Sequence, residues 1–88
     1  MSMNSRAQLR QFLLRRFPHA QLTDDQDIFA LGFATSLFAM ELVLFVEKQL
    51  GVQVSNSDLR IDNFRSVDAV VALVERTRLA AETASTSR

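Results

Sequence analysis

The sequence predicts an all-α fold, a small antiparallel bundle of three long helices and one short helix. Two stretches carry apolar residues at helical spacing, at positions 9, 12, 13 and 17 and at positions 67, 70, 71 and 74. A third stretch, residues 31–50, is strongly apolar and is followed by Gly51. Val52 and Val54 alternate with Gln53 as in a strand, but the chain shows no partner strand, so we expect an extended connector there.

Composition predicts one domain, residues 1–82, followed by a disordered tail at 83–88. The 88 residues include no cysteine, and no apolar run is long enough to span a bilayer. Without a secretory signal either, we expect a soluble cytoplasmic protein. The net charge of zero hides a segregation: residues 1–20 hold four arginines and no acid, whereas residues 21–60 hold six acids and two cations.

The first helix is expected from about Ser5 to Phe17, where Pro18 ends it. The 18 residues from Pro18 to Thr35 lack periodicity and predict a long loop containing a solvated His19. Four apolar side chains can anchor this loop: Ile28, Phe29, Leu31 and Phe33. The acids Asp24, Asp25 and Asp27 do not follow the calcium-loop pattern, so we expect turn and cap residues and no metal site.

The central helix carries more apolar residues than one core requires. Projection at 100° per residue places Ala39, Leu42, Val43, Val46 and Leu50 on one side, which is enough to bury the helix. The remaining apolar residues, Leu37, Phe38, Leu44 and Phe45, lie around Glu41 and Lys48, with Met40 at the margin. Unless loops cover them, such an exposed patch predicts an interaction surface.

Two short signals complete the bundle. Ser55 or Ser57 can cap a short helical turn with Phe64 as its core anchor. Ser66 then opens the last helix with Asp68 in its first turn, and this helix is expected to fray between Leu79 and Glu82.

Ser36, at the start of the central helix, has two interpretations. Its hydroxyl can cap the helix by accepting a first-turn N–H, but Thr35 can do so equally well. A phosphate ester on Ser36 would lie at the positive end of the helix dipole, so the position also suits an anionic attachment.

These residues resemble the acyl carrier proteins. Leu31 and Gly32, then Ser36 and Leu37, then the Glu41–Val43 run parallel the Leu-Gly turn, the Asp-Ser-Leu motif and the Glu-Leu-Val helix of that family. The resemblance covers roughly Asp27 to Val74, including the Asp58-Leu59 pair and residues 63–66.

The resemblance implies a non-catalytic carrier. A phosphopantetheinyl transferase would attach 4′-phosphopantetheine from coenzyme A to Ser36, and the thiol of the arm would hold an acyl or aminoacyl group as a thioester. A loading ligase or transferase and a downstream synthase would be further partners of a monomeric chain. The docking face that they read would consist of Leu37, Met40, Glu41 and Leu44.

The chain departs from the family pattern in two places. Thr35 stands where Asp is usual, and three residues instead of two separate Gly32 from Ser36. The Ser-Leu-Phe-Ala-Met form is similar to free-standing carriers of secondary-metabolite pathways, such as those of polyketides and nonribosomal peptides, more than to carriers of fatty acid biosynthesis. The central helix also has few acids, so we expect partners to recognise shape and apolar contact more than charge.

Other functions fit less well. A hydrolase would need His19 beside Ser36, and Gly32 to Ser36 does not form a nucleophile elbow, so we expect no catalytic residue. A small DNA-binding domain would need a basic face, whereas the central helix is acidic and apolar, so we expect no nucleic acid. A helical homodimer explains the apolar surface but leaves the motif spacing as coincidence.

Overall fold

The computed structural model describes residues 4–30, 32 and 35–86, and every regular element in that part of the chain is helical. The long helices are α1 (Ser5–Arg16), α2 (Ser36–Gln49) and α4 (Val67–Thr86). A 3₁₀ turn at Asn56–Asp58 and the short helix α3 (Ile61–Phe64) connect α2 to α4. The predicted all-α antiparallel bundle is confirmed, and no helix among the described residues is long and apolar enough to cross a membrane.

Local signals set the limits of α1. The Asn4 side chain accepts a hydrogen bond from the Ala7 amide at 2.8 Å and so caps the first turn. At the other end, Phe17 leaves helical geometry and Pro18 follows, as the sequence predicts. His19 lies exposed in the turn beyond.

The core is a single apolar cluster between the helices. α1 contributes Leu9 and Leu13, and α2 contributes Phe38, Leu42 and Val46. The rest of the cluster comes from the long loop, the connector, α3 and α4: Ile28, Leu50, Val52, Phe64, Val67, Val70, Val71, Leu73 and Val74. Ile28 therefore anchors the loop as expected, and Phe29 packs at the edge of the cluster, whereas Leu31 and Phe33 lie outside the described residues.

The predicted outward orientation of Phe38 and Phe45 is wrong. Phe38 is only 1% exposed, and its ring centroid lies 6.0 Å from that of Phe12 and 5.0 Å from that of Phe17. Phe45 is half-buried and stacks on Phe12 at 4.5 Å. The physical reason is that α2 packs against α1 on a second side, so its buried surface is wider than one stripe. Ala39 and Val43, predicted to be buried, are half-buried instead.

Ion pairs join the basic first helix to the acidic part of the chain. Arg6 contacts the carboxylates of Asp24 at 2.7 Å and Asp68 at 2.6 Å, and Arg10 also pairs with Asp24. The hydrogen bond from Arg6 lowers the pKa of the Asp24 carboxyl from its ordinary value. The Asp68 amide also donates to the Asp24 carbonyl at 2.9 Å, so the long loop is fixed to both α1 and α4.

Local interactions fix the end of α2 and the start of α4. Gly51 ends the helix with φ of +71°, a conformation that glycine adopts without strain. Arg78 of α4 donates to the Leu50 carbonyl at 2.7 Å and so satisfies an otherwise unpaired group of this helix end. The Ser66 hydroxyl accepts the Ala69 amide at 3.1 Å and caps α4, which confirms its predicted role.

The last helix extends farther than predicted. α4 remains helical to Thr86, so the expected fraying between Leu79 and Glu82 does not match the backbone. Alanines at positions 80, 81 and 84 have the highest helix propensity and explain the continuation. Residues 87 and 88 lie outside the described part, and the domain boundary at residue 82 remains a prediction.

The neighbours Phe38 and Leu37 offer a direct test of the orientation of α2. Phe38→Ala removes a buried ring and should lower the free energy of unfolding by about 3–5 kcal/mol. Leu37→Ala, at a side chain that is 68% exposed, should change it by less than about 0.5 kcal/mol. Urea denaturation followed by circular dichroism measures both, and equal losses would contradict this packing.

Candidate functional site

The start of α2 is fixed by Thr35. This residue has an extended backbone, with φ of −109° and ψ of 174°, and its Oγ1 atom accepts the Phe38 amide at 3.2 Å. Its carbonyl accepts the Ala39 amide at 3.0 Å. These are the two hydrogen bonds of an N-cap residue, so Ser36 is the first residue inside the helix.

The interpretation of Ser36 as the helix cap is therefore wrong. Ser36 is exposed, and its hydroxyl has no hydrogen-bond partner among the described residues. The sequence left Thr35 and Ser36 as equal candidates for the cap, and the structure assigns that role to Thr35. Among the described residues, the cap therefore does not occupy the Ser36 hydroxyl.

The surroundings of Ser36 suit a bound phosphate. The first turn of α2 contains no acidic residue, so nothing there would repel an anion. The unpaired first-turn amides and the helix dipole place positive potential at this end of a 14-residue helix. The charge of this helix end therefore suits a phosphodiester on the exposed Ser36.

A fixed turn leads into the site. Ile28 is buried, and its amide donates to the Arg65 carbonyl at 2.6 Å. The Asp27 carboxylate accepts the amides of Phe29 and Ala30 at 3.0 and 3.1 Å, which closes a tight turn. Gly32 follows with φ of +80°, so an L residue would be strained there. Leu31, the other member of the Leu-Gly turn, lies outside the described residues.

The outer face of α2, defined here as Leu37, Met40, Glu41 and Leu44, is adjacent to Ser36. The three apolar side chains are 68%, 63% and 48% exposed, respectively. Glu41 is half-buried because Arg16, the last residue of α1, holds its carboxylate through two hydrogen bonds of 2.8 and 2.9 Å. These hydrogen bonds lower the pKa of the Glu41 carboxyl and raise that of the Arg16 guanidinium.

The apolar surface continues beyond α2, which the sequence did not predict. Leu59 and Ile61, just before and at the start of α3, are 50% and 61% exposed. Between them and Met40 lies a groove of about 200 Å³ whose lining is apolar except for Arg60. The sequence did contain one indication of this surface. If Phe64 alone anchors the segment in the core, Leu59 and Ile61 have no core position and remain exposed.

Comparison with known proteins identifies one related family. Residues 7–74, or 68 of the 88 residues, match the family model described as a phosphopantetheine attachment site. The matched region contains the whole of α2 and both flanking turns. A search of curated proteins gave no match.

The division of roles between Thr35 and Ser36 is testable by stability. Thr35→Ala removes the cap and should lower the free energy of unfolding by about 1 kcal/mol. Ser36→Ala removes a hydroxyl that has no described partner and should change it by less than about 0.5 kcal/mol. Thermal and urea unfolding measure the two variants, and a larger loss for Ser36→Ala would restore that residue as the cap.

Proposed function

Because this chain belongs to the phosphopantetheine attachment family, we propose that Ser36 receives 4′-phosphopantetheine from coenzyme A and that the chain is a non-catalytic carrier. The observation that carries this proposal is the exposed Ser36 hydroxyl, which the helix does not use as its cap. The arm, when bound, supplies a terminal thiol that carries an acyl or aminoacyl group as a thioester. The chain itself supplies position and recognition.

Comparison with the other hydroxyl side chains supports the choice of Ser36. Between residues 4 and 82, every other serine or threonine side chain takes part in a hydrogen bond within the chain. The engaged residues are Ser5, Thr23, Thr35, Ser55, Ser57, Ser66 and Thr77. Among the described serines and threonines of this range, Ser36 alone can be modified without breaking a hydrogen bond to another described residue.

The attachment step follows from the position of Ser36. The Ser36 oxygen forms a bond to the phosphorus that bears the pantetheine of coenzyme A, the bond from that phosphorus to the nucleotide half breaks, and the hydroxyl proton passes to a base of the transferase. The free amides of the first turn then face the new phosphodiester. Because the first turn of α2 contains no acidic residue, no side chain there repels the single negative charge of the phosphodiester.

The outer face of α2 is proposed to dock the partner enzymes. These are the phosphopantetheinyl transferase, a loading ligase or transferase and a downstream synthase. Leu37, Met40 and Leu44 are exposed within about two helical turns of Ser36, so they are available to an enzyme that approaches Ser36 along α2. Brief encounters with several enzymes suit a small patch of this kind. A role in a secondary-metabolite pathway is consistent with the scarcity of acids on α2, which has only Glu41 and Glu47.

Incubation with coenzyme A and a broad-specificity phosphopantetheinyl transferase tests the attachment. We expect intact-mass analysis to show one phosphopantetheine added to the wild type and none to Ser36→Ala. Ser55→Ala, which removes a hydroxyl at the cap of the 3₁₀ turn, is the matched control and should be modified like the wild type. An unmodified wild type, under conditions that modify another carrier, would refute the proposal.

The docking role is tested by changing the apolar face. Leu37→Asp or Met40→Glu should lower kcat/KM for modification about tenfold, because each places a charge in an apolar contact. Leu79→Asp, at a leucine of α4 that is 61% exposed, is the matched control and should leave the rate unchanged. Steady-state kinetics with circular dichroism of each variant separates lost docking from lost folding.

A homodimer through the same face would bury the same side chains. Sedimentation equilibrium over a range of concentrations distinguishes it from a carrier that exposes the face to enzymes. A monomer supports the carrier. A dimer that Met40→Glu dissociates, together with no modification of Ser36, would favour the homodimer.

A further inference from the structure

The outer face of α2 contains one charged residue, and that residue is paired within the chain. Between Ser36 and Val46, Glu41 is the only charged side chain of the helix. It lies among the exposed apolar residues Leu37, Met40 and Leu44, where a free carboxylate would be the strongest electrostatic feature of the surface.

Arg16 binds this carboxylate in a specific geometry. Its Nε and Nη2 atoms donate to the two oxygens of Glu41 at 2.8 and 2.9 Å, a bidentate pair that uses the planar guanidinium. The Arg16 guanidinium carbon also lies 5.9 Å from the Phe38 ring centroid and 6.0 Å from that of Phe17. Because two rings and a carboxylate position it together, Arg16 is held in place more firmly than a surface arginine with a single partner.

The other charges of α2 do not replace Glu41. The Glu47 carboxylate accepts the Val54 amide at 3.1 Å and so serves the connector after the helix. Lys48 lies in the last turn, at the opposite end of α2 from Ser36. The first turns of α2 therefore present apolar side chains and one carboxylate that Arg16 neutralises. The nearest further cation described beside Met40 is Arg60, which lines the groove before α3 and does not contact Glu41.

We propose that Arg16 is a specificity-determining residue of the docking face. By holding Glu41, it removes the anionic target that a basic enzyme surface would use, and it leaves a face that fits a partner enzyme whose contact patch is apolar and uncharged. A partner arginine or lysine could reach Glu41 only by displacing both hydrogen bonds of Arg16. This inference rests on the proposed carrier function and adds the kind of partner that the carrier selects.

The pairing has a measurable consequence for association. Freed from Arg16, Glu41 would attract a basic partner, and this attraction would weaken as salt screens it. With the pair intact, the affinity for the same partner should depend little on ionic strength. Salt dependence thus reports the state of Glu41 separately from any general effect on folding.

The test uses the full chain, coenzyme A and a phosphopantetheinyl transferase whose carrier-binding surface is rich in Arg and Lys. At low ionic strength, Arg16→Gln should lower the KM for the carrier about two- to fivefold, the range expected for one surface charge contact. This gain should disappear at high salt and also in the double variant Arg16→Gln/Glu41→Gln. The KM of the wild type should change little with salt.

Two further variants serve as controls. Arg15→Gln removes the same charge from the neighbouring position, where no ion pair forms among the described residues, and it should behave as the wild type. Arg16→Lys retains the charge but cannot form the planar two-bond pair, so its KM should fall between those of the wild type and Arg16→Gln. Arg16→Lys also provides the comparison if circular dichroism shows that Arg16→Gln is unfolded.

The possible failures are distinct. If the wild type is modified at Ser36 but Arg16→Gln and Arg16→Lys have the KM and salt dependence of Arg15→Gln, the inference about Arg16 is overturned and the carrier function stands. A steep salt dependence of the wild type also overturns it. If no variant with Ser36 is modified, the carrier function itself fails.

Discussion

The burial of Phe38 fixes the orientation of α2 and therefore of the whole site. Its ring packs against Phe12 of α1 and against Phe17, which follows the last residue of α1, and it is almost inaccessible to solvent. Ser36 precedes it by two positions, which is about 200° around an α-helix. Since Phe38 points inward, Ser36 must point outward. The exposure of Ser36 is thus a consequence of the packing of Phe38, and no contact made by Ser36 itself is required.

Much of the fold could be predicted from local signals, because each helix end depends on a residue close to it. Pro18, Gly51 and Ser66 act within one turn of the boundaries that they set. The positions of Phe38 and Phe45 could not be predicted in this way. A helical projection assumes one narrow buried stripe, whereas the buried surface of α2 widens from Leu42 and Val46 to Phe38 and Phe45, which pack on Phe12 of α1. The contact of Phe38 and Phe45 with α1 depends on the position of α1, and the periodicity of α2 gives no information about that position.

The candidate site shows the same limit. The spacing around Ser36 indicated the position, but the choice of cap between Ser36 and Thr35 depends on backbone geometry that two similar hydroxyl residues do not reveal. The Arg16 to Glu41 pair joins residues 25 positions apart and gives no periodic signal. The sequence shows a surplus of arginines in residues 1–20 and of acids in residues 21–60, and we predicted no ion pair from it. It could not indicate which acid would receive which arginine, because that is decided by the packing of α1 on α2.

Stability and the proposed recognition depend on different residues of the same helical turns. Thr35, Phe38 and Leu42 serve the cap and the core, whereas Ser36, Leu37 and Met40 face outward and can change with little effect on the fold. The residues of this surface can therefore vary with the proposed partner enzymes without a loss of stability. Arg16 is the exception, since it lies over the buried Phe38 ring and also holds Glu41 on the surface. The packing of α1 on α2 therefore determines the charge that the outer face presents, so a change in the core near Phe38 would alter that charge and, with it, the proposed docking.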